Sequence, residues 1–321
     1  MVRELATGHP SIGQIHGLTD EQAGSARLHE LLGAEFDEFY YAHDSTGTIC
    51  RRLARAYPGA RKVCIGDAFG MIYSADFLAS YHVAGTIGSR LRAWLRAAAG
   101  QVPIAPDVAA LVLPVDPSGG GLRGVELVCC GKADFIDALR GCHANARELQ
   151  EHMHALLART AGRRRYLLLT ENYSEAGHVG AEREVQMYCE MVRVHCEPGS
   201  AVIVKPHPLE ASSKAARMRA ALGPAYEVIA VDARFGRYPI EIWLELVREC
   251  TVICAAYPVL SLKYAHDIDV VQPMDQAFVE RWMEPAFRRW TLDSLRLYME
   301  PLARLPGWDG RSVLWSGGAT G

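Results

Sequence analysis

Short apolar runs of β type alternate with stretches of helical periodicity along most of this chain, and that alternation leaves few folds open. Runs at 38–43, 62–65, 109–113, 126–130, 166–170, 201–204, 226–231 and 251–255 read as strands. Stretches at 22–32, 48–56, 88–98, 135–139, 144–160, 180–194, 214–222, 240–249 and 259–266 read as helices, and 278–305 as largely helical. A helix between successive strands permits parallel pairing and covers the sheet faces, so the expected class is α/β with parallel sheets. The composition shifts at Gly162-Arg163-Arg164-Arg165, where a long helix gives way to a strand. The expected boundary falls there, dividing the chain into 1–162 and 163–321, two Rossmann-like domains facing across a cleft. The first strong strand begins only near Glu38, which leaves the N-terminal domain reduced or its opening strand weak. Trp282 and Trp290 have the bulk to pack across a domain interface, and 316–321 reads as a disordered tail.

Composition removes several function classes. The 321 residues are half hydrophobic and carry a formal net charge of −3, with a pI near 6.5, so no basic field for nucleic acid exists. Arginines cluster locally at 90, 92 and 96 and at 163–165. These suit an anionic lipid or acceptor, or simply a solvated helix face and the flank of a strand. Nine cysteines, an odd number without a CxxC pair, read as reduced thiols in a reducing cytosol. Cys189, His195, Cys196, Cys250 and Cys254 lack the spacing of zinc ligands, and no metal site is expected. No segment approaches a membrane span and residues 1–34 lack the apolar core of a signal peptide. The expectation is a cytoplasmic protein, with contact at the inner face of the membrane left open.

Four motifs stand at predicted strand ends and a fifth opens a predicted helix. Lys205-Pro206-His207-Pro208 follows the run Ala201-Val202-Ile203-Val204; two prolines stop the strand and restrict the histidine between them. Ligands of open parallel sheets bind at the carboxyl ends of strands, so Lys205 and His207 are candidates for an anion site, or else form a rigid solvated turn. Gly66-Asp67-Ala68-Phe69-Gly70 presents a carboxylate between glycines after the strand Lys62-Val63-Cys64-Ile65. Asp67 can take a proton from a hydroxyl there, or cap the next turn. Thr170, Glu171 and Asn172 leave the strand that opens the second domain and would look into the cleft, unless they only build a turn and cap a helix. In Pro239-Ile240-Glu241, proline suits a first helical position, and Glu241 either caps the helix or binds ribose hydroxyls. After the strand at 251–255, a helix starting at Pro258 offers free N–H groups and the Ser261 hydroxyl to an anion, although Ser261 can bond back to its own helix turn.

The order of these pieces resembles the bacterial sialyltransferase and polysialyltransferase-like families of GT-B fold, over about Asp67 to Asp267. The resemblance implies an inverting, metal-independent transfer of sialic acid, or a related nonulosonic acid, from a CMP-activated donor to a surface glycan. It implies residues 1–162 as the acceptor side and 163–321 as the nucleotide-sugar side. Asp67 would be the general base, and His207 would meet the donor phosphate, with Lys205 nearby. Ser261 would bind the same phosphate, and Thr170, Asn172 and Glu241 would contribute to donor binding. No cofactor beyond the donor substrate is implied, and the partners are that donor and a glycan. Two departures are visible: the family's paired acids are reduced to Gly66-Asp67-Ala68, and its paired hydroxyls to Tyr257, Pro258 and a lone Ser261. Two other readings compete, a CDP-glycerol-type glycerophosphotransferase and a catalytically silent GT-B binding protein.

Overall fold

The computed structural model of the protein describes residues 28–33, 35–41, 48–65, 91, 95, 104, 106–111, 125–129, 131–210, 213–255 and 258–303. Asp67, the segment 316–321 and all of 88–98 except Leu91 and Leu95 lie outside them. Two compact units divide the chain, one of residues 9–135 and the other of 136–321 with 1–8. The composition shift put the division at 162–163. The helix that ends before it, α4 (Arg147–Arg159), buries Leu149, Met153 and Leu156 at helical spacing. It packs on α8 (Leu244–Glu249), a later helix of the C-terminal unit, and so belongs to that unit. Arg163, Arg164 and Arg165 reach Glu227, Thr251 and Glu249 of the same unit.

In the N-terminal unit, α1 (Leu28–Leu32), β1 (Glu38–Tyr41), α2 (Thr48–Ala56), β2 (Arg61–Cys64), β3 (Val108–Leu111) and β4 (Glu126–Cys129) are followed by α3 (Lys132–Asn145), which runs through the division. The four strands are parallel and lie in the order β1-β2-β3-β4. Among the described residues this sheet runs in sequence order without a reversal. Tyr41, Cys64 and Ala109 bury together at its centre, and Tyr57 closes the turn before β2 by donating to the Gly33 carbonyl at 2.9 Å.

The C-terminal unit continues with α4, β5 (Arg165–Leu169), α5 (Ala181–His195), β6 (Ala201–Lys205), α6 (Lys214–Leu222), β7 (Glu227–Ala230), α7 (Ala233–Gly236), α8, β8 (Thr251–Cys254), α9 (Pro258–His266), β9 (Val270–Val271), α10 (Gln276–Trp282) and α11 (Pro285–Ala303). Its five strands are all parallel, in the order β7-β6-β5-β8-β9. Leu167 to Leu169 of β5 and all of β6 are buried, as strands covered on both faces must be. One core cluster joins Leu168, Met187, Tyr188, Val202, Met218 and Ile253. Gly162 and Gly199 precede β5 and β6 with φ of +75° and +83°, left-handed turns that a side chain would strain. Trp282 joins this core and Trp290 sets its ring against His178, so both pack inside the C-terminal unit.

The helix expected over 240–249 is two pieces. A 3-10 turn at Ile240–Ile242 is separated from α8 by Trp243, whose ψ of 48° breaks the α geometry. Pro239 stands outside the turn in an extended conformation rather than at a first helical position. Trp243 is completely buried, and its packing overrides local helical preference. Among the described residues no helix is long and apolar enough to cross a membrane.

Because Leu168 sits at the centre of β5 with no exposure, Leu168→Ala should lower the unfolding free energy by about 2–5 kcal/mol in urea titration. A loss under about 1 kcal/mol would contradict this account of the core.

Candidate functional site

Strand order in the C-terminal sheet reverses at β5. The chain builds outward through β6 and β7, then returns to place β8 and β9 on the other side of β5. Loops leaving β5 and β8 diverge at such a reversal and open a crevice at the carboxyl ends of the strands. Tyr173 spans it, its hydroxyl donating to the Ala255 carbonyl just past β8 at 2.6 Å.

His207 and Glu171 meet at the neighbouring strand ends, after β6 and β5. Nε2 of His207 lies 3.9 Å from Oε2 of Glu171, with the side chains 29% and 14% exposed. Nδ1 accepts the Leu209 N–H at 3.2 Å, so in the neutral ring the proton sits on Nε2, on the Glu171 side. The turn after Pro206 is closed in both directions. Glu210 N donates to the His207 carbonyl at 3.0 Å, and Oε2 of Glu210 accepts the His207 N–H at 3.3 Å. The same oxygen accepts the Thr170 hydroxyl at 2.5 Å, which links the β5 and β6 loops.

Beneath this pair lies an ionic cluster. Nζ of Lys214 is 2.7 Å from Glu184, 3.6 Å from Glu175 and 3.7 Å from Glu210, and it donates to the Glu171 carbonyl at 2.7 Å. The Glu184 carboxylate is fully buried and accepts the Tyr173 and Ser174 N–H groups, each at 3.2 Å. The Tyr188 hydroxyl accepts the Glu171 N–H at 2.7 Å. Backbone and side chain of the β5 loop are therefore both held from below.

Burial governs the protons here. Desolvation, and then the Glu210 charge, push the Glu171 carboxyl from its ordinary 4.5 up to about 8, against the attraction of Lys205 and Lys214. Glu210 is raised to about 7, again chiefly by desolvation and despite Lys214. Lys205 is lowered to about 8 by burial, against the pull of Glu241, Glu171 and Glu210.

The structure brings Thr170, Glu171, Lys205 and His207 to adjacent strand ends, but their roles differ. Thr170 is buried and serves as the link to Glu210. Lys205 is buried, donating to the Gly236 carbonyl at 3.1 Å with Nζ 5.7 Å from the Trp243 ring centre. Its charge reaches the crevice through space rather than by contact. Asn172 uses its carbonyl to accept the Ala176 N–H at 2.9 Å. Glu241 lies on the 3-10 turn, where its carbonyl meets Nε2 of His266 at 2.9 Å. Ser261 is buried, the fourth residue of α9. Asp67 is outside the described residues.

Glu184, Glu210 and Lys214 escaped sequence reasoning. Glu210 three residues after His207, with Lys214 four residues further, is a visible spacing; Glu184 carries no such signal, because a first-turn glutamate of a helix ordinarily faces water. Cys189, Cys196 and Cys254 are buried. Among the described residues no group of three His, Cys, Asp or Glu side chains is placed to hold a metal.

No known protein family and no curated protein matches the chain. Among solved structures it is similar to the alpha/beta-galactoside alpha-2,3-sialyltransferase of the luminous marine bacterium Photobacterium phosphoreum. Identity is 11%, the TM-score is 0.40, and the match covers 94% of this chain and 85% of that one.

The cluster makes two outcomes measurable. Glu184→Ala leaves Lys214 buried without its closest partner and should cost about 3–5 kcal/mol in urea unfolding. It should also speed hydrogen exchange at the Tyr173 and Ser174 amides, and unchanged exchange there would count against the bracing role. The folded protein keeps the Glu171 proton up to about pH 8, whereas the unfolded chain loses it near 4.5. Stability from that proton is complete below 4.5 and lost as pH rises through 8. Wild type should therefore lose stability between pH 5 and pH 8 relative to Glu171→Gln, and parallel profiles would refute the shift.

Proposed function

We propose that the protein is an inverting glycosyltransferase that moves sialic acid, or a related nonulosonic acid, from a CMP-activated donor to a surface glycan in the cytoplasm. The observation that carries this reading is the His207–Glu171 pair at the strand ends of the C-terminal sheet, beside the reversal of strand order. A partly exposed imidazole N–H held in one orientation suits a single phosphate, the leaving group of a CMP-sugar. The motif order from Asp67 to Ser261 agrees with that choice of donor.

In this reading the acceptor hydroxyl attacks the anomeric carbon and gives its proton to Asp67. The bond from that carbon to the phosphate oxygen breaks, and the charge gathering on the departing CMP is met by the Nε2–H of His207. Thr170 holds the His207 turn through Glu210, and Lys205 adds positive potential from below. Asn172, Glu241 and Ser261 are the proposed further contacts to the donor, Glu241 to its ribose and Ser261 to its phosphate.

His207→Ala should lower CMP-sialic acid turnover by about 100- to 1,000-fold while leaving the melting temperature in place. Full turnover in that variant would remove the role. CMP and CTP should raise the melting temperature where UDP and GDP do not. Release of CMP from CDP-glycerol instead of the CMP-sugar would replace this reading with a glycerophosphotransferase. Binding of CMP without turnover of either donor would replace it with a silent binding protein.

A further inference from the structure

We infer that Glu171 is a second ligand of the His207 site, its carboxyl and the histidine Nε2–H together clamping one oxygen of a phosphate group. The inference rests on the phosphate reading of His207 and adds to it Glu171 as a ligand group. Separation of the two side chains is the first ground. At 3.9 Å, Nε2 and Oε2 are too far apart to bond each other. An oxygen about 2.8 Å from each completes a triangle with them.

Rigidity is the second ground. Nδ1 is tied to the Leu209 N–H, and the Glu171 backbone is held at both its N–H, by Tyr188, and its carbonyl, by Lys214. The turn that carries His207 and the backbone that carries Glu171 are fixed before the anion arrives. Charge is the third. The groups facing Glu171 are His207 and Glu210 after β6, Lys205 on β6, Lys214 on α6, and Glu184 and Tyr188 on α5. An ionised Glu171 would repel a phosphate from the same opening; a protonated one donates to it. With its proton held to about pH 8, Glu171 is a donor through the neutral range.

Isothermal titration of the full chain with inorganic phosphate and with CMP, at pH 7 and pH 9, tests the clamp. Glu171→Gln keeps an uncharged N–H donor and cannot ionise, whereas Glu171→Ala has no donor. At pH 7, wild type and Glu171→Gln should bind alike and Glu171→Ala about tenfold more weakly. At pH 9 wild type should fall behind Glu171→Gln, by up to about tenfold per pH unit above 8. Lys205 and Glu210 titrate in the same window but are common to both proteins, so their ratio isolates Glu171. An equal ratio at both pH values, full affinity in Glu171→Ala at pH 7, or wild type that binds neither phosphate nor CMP would overturn the clamp. Phosphate binding with the expected ratio but no affinity for CMP would uphold the clamp and dismiss the cytidylate donor.

Discussion

The C-terminal unit depends on one buried ion pair, Lys214 with Glu184. A fully buried carboxylate is stable only if its oxygens are bonded, and Glu184 meets this with the Lys214 ammonium and two backbone N–H groups of the β5 loop. Lys214 in turn bonds the Glu171 carbonyl. Two helices and the loop after β5 thus share a single charge pair. The orientation of Glu171 toward His207 is the consequence at the surface.

Around that pair the charges do not balance. The side chains of Glu171, Glu184 and Glu210 are 14%, 0% and 2% exposed, with Lys205 and Lys214 nearby and also buried. Full ionisation would leave net negative charge where water is scarce, and burial answers by raising Glu171 and Glu210. The nearest carboxyl to the crevice is the one raised further. A glutamate of a strand-end loop thereby keeps its proton into the neutral range, beside a histidine whose tautomer is set by its own turn.

The fold was largely legible because strand and helix periods are local. β6 and the turn at Pro206 follow from an apolar run and two prolines, and α6 begins and ends where its pattern does. Elements failed where packing outweighed pattern. Trp243 breaks an expected helix because its ring is completely buried, and the two-residue β9 is too short to carry a period. The expected division at 162–163 differs from the two compact units for a related reason: the arginine run marks a composition shift in the sequence, yet each arginine has a partner within the same unit.

For the candidate site, the chain alone determined that Thr170, Glu171, Lys205 and His207 stand at strand ends, since alternating periods and proline chemistry act over a few residues. Tertiary structure decided what each does there. Lys205 turns beneath Gly236, Thr170 bonds Glu210, and Glu184 sinks into the core with Lys214. Those outcomes depend on which residues from distant segments share a region of low dielectric. Burial and partner distance, the quantities that set charge and proton affinity, come into existence only when the sheet assembles.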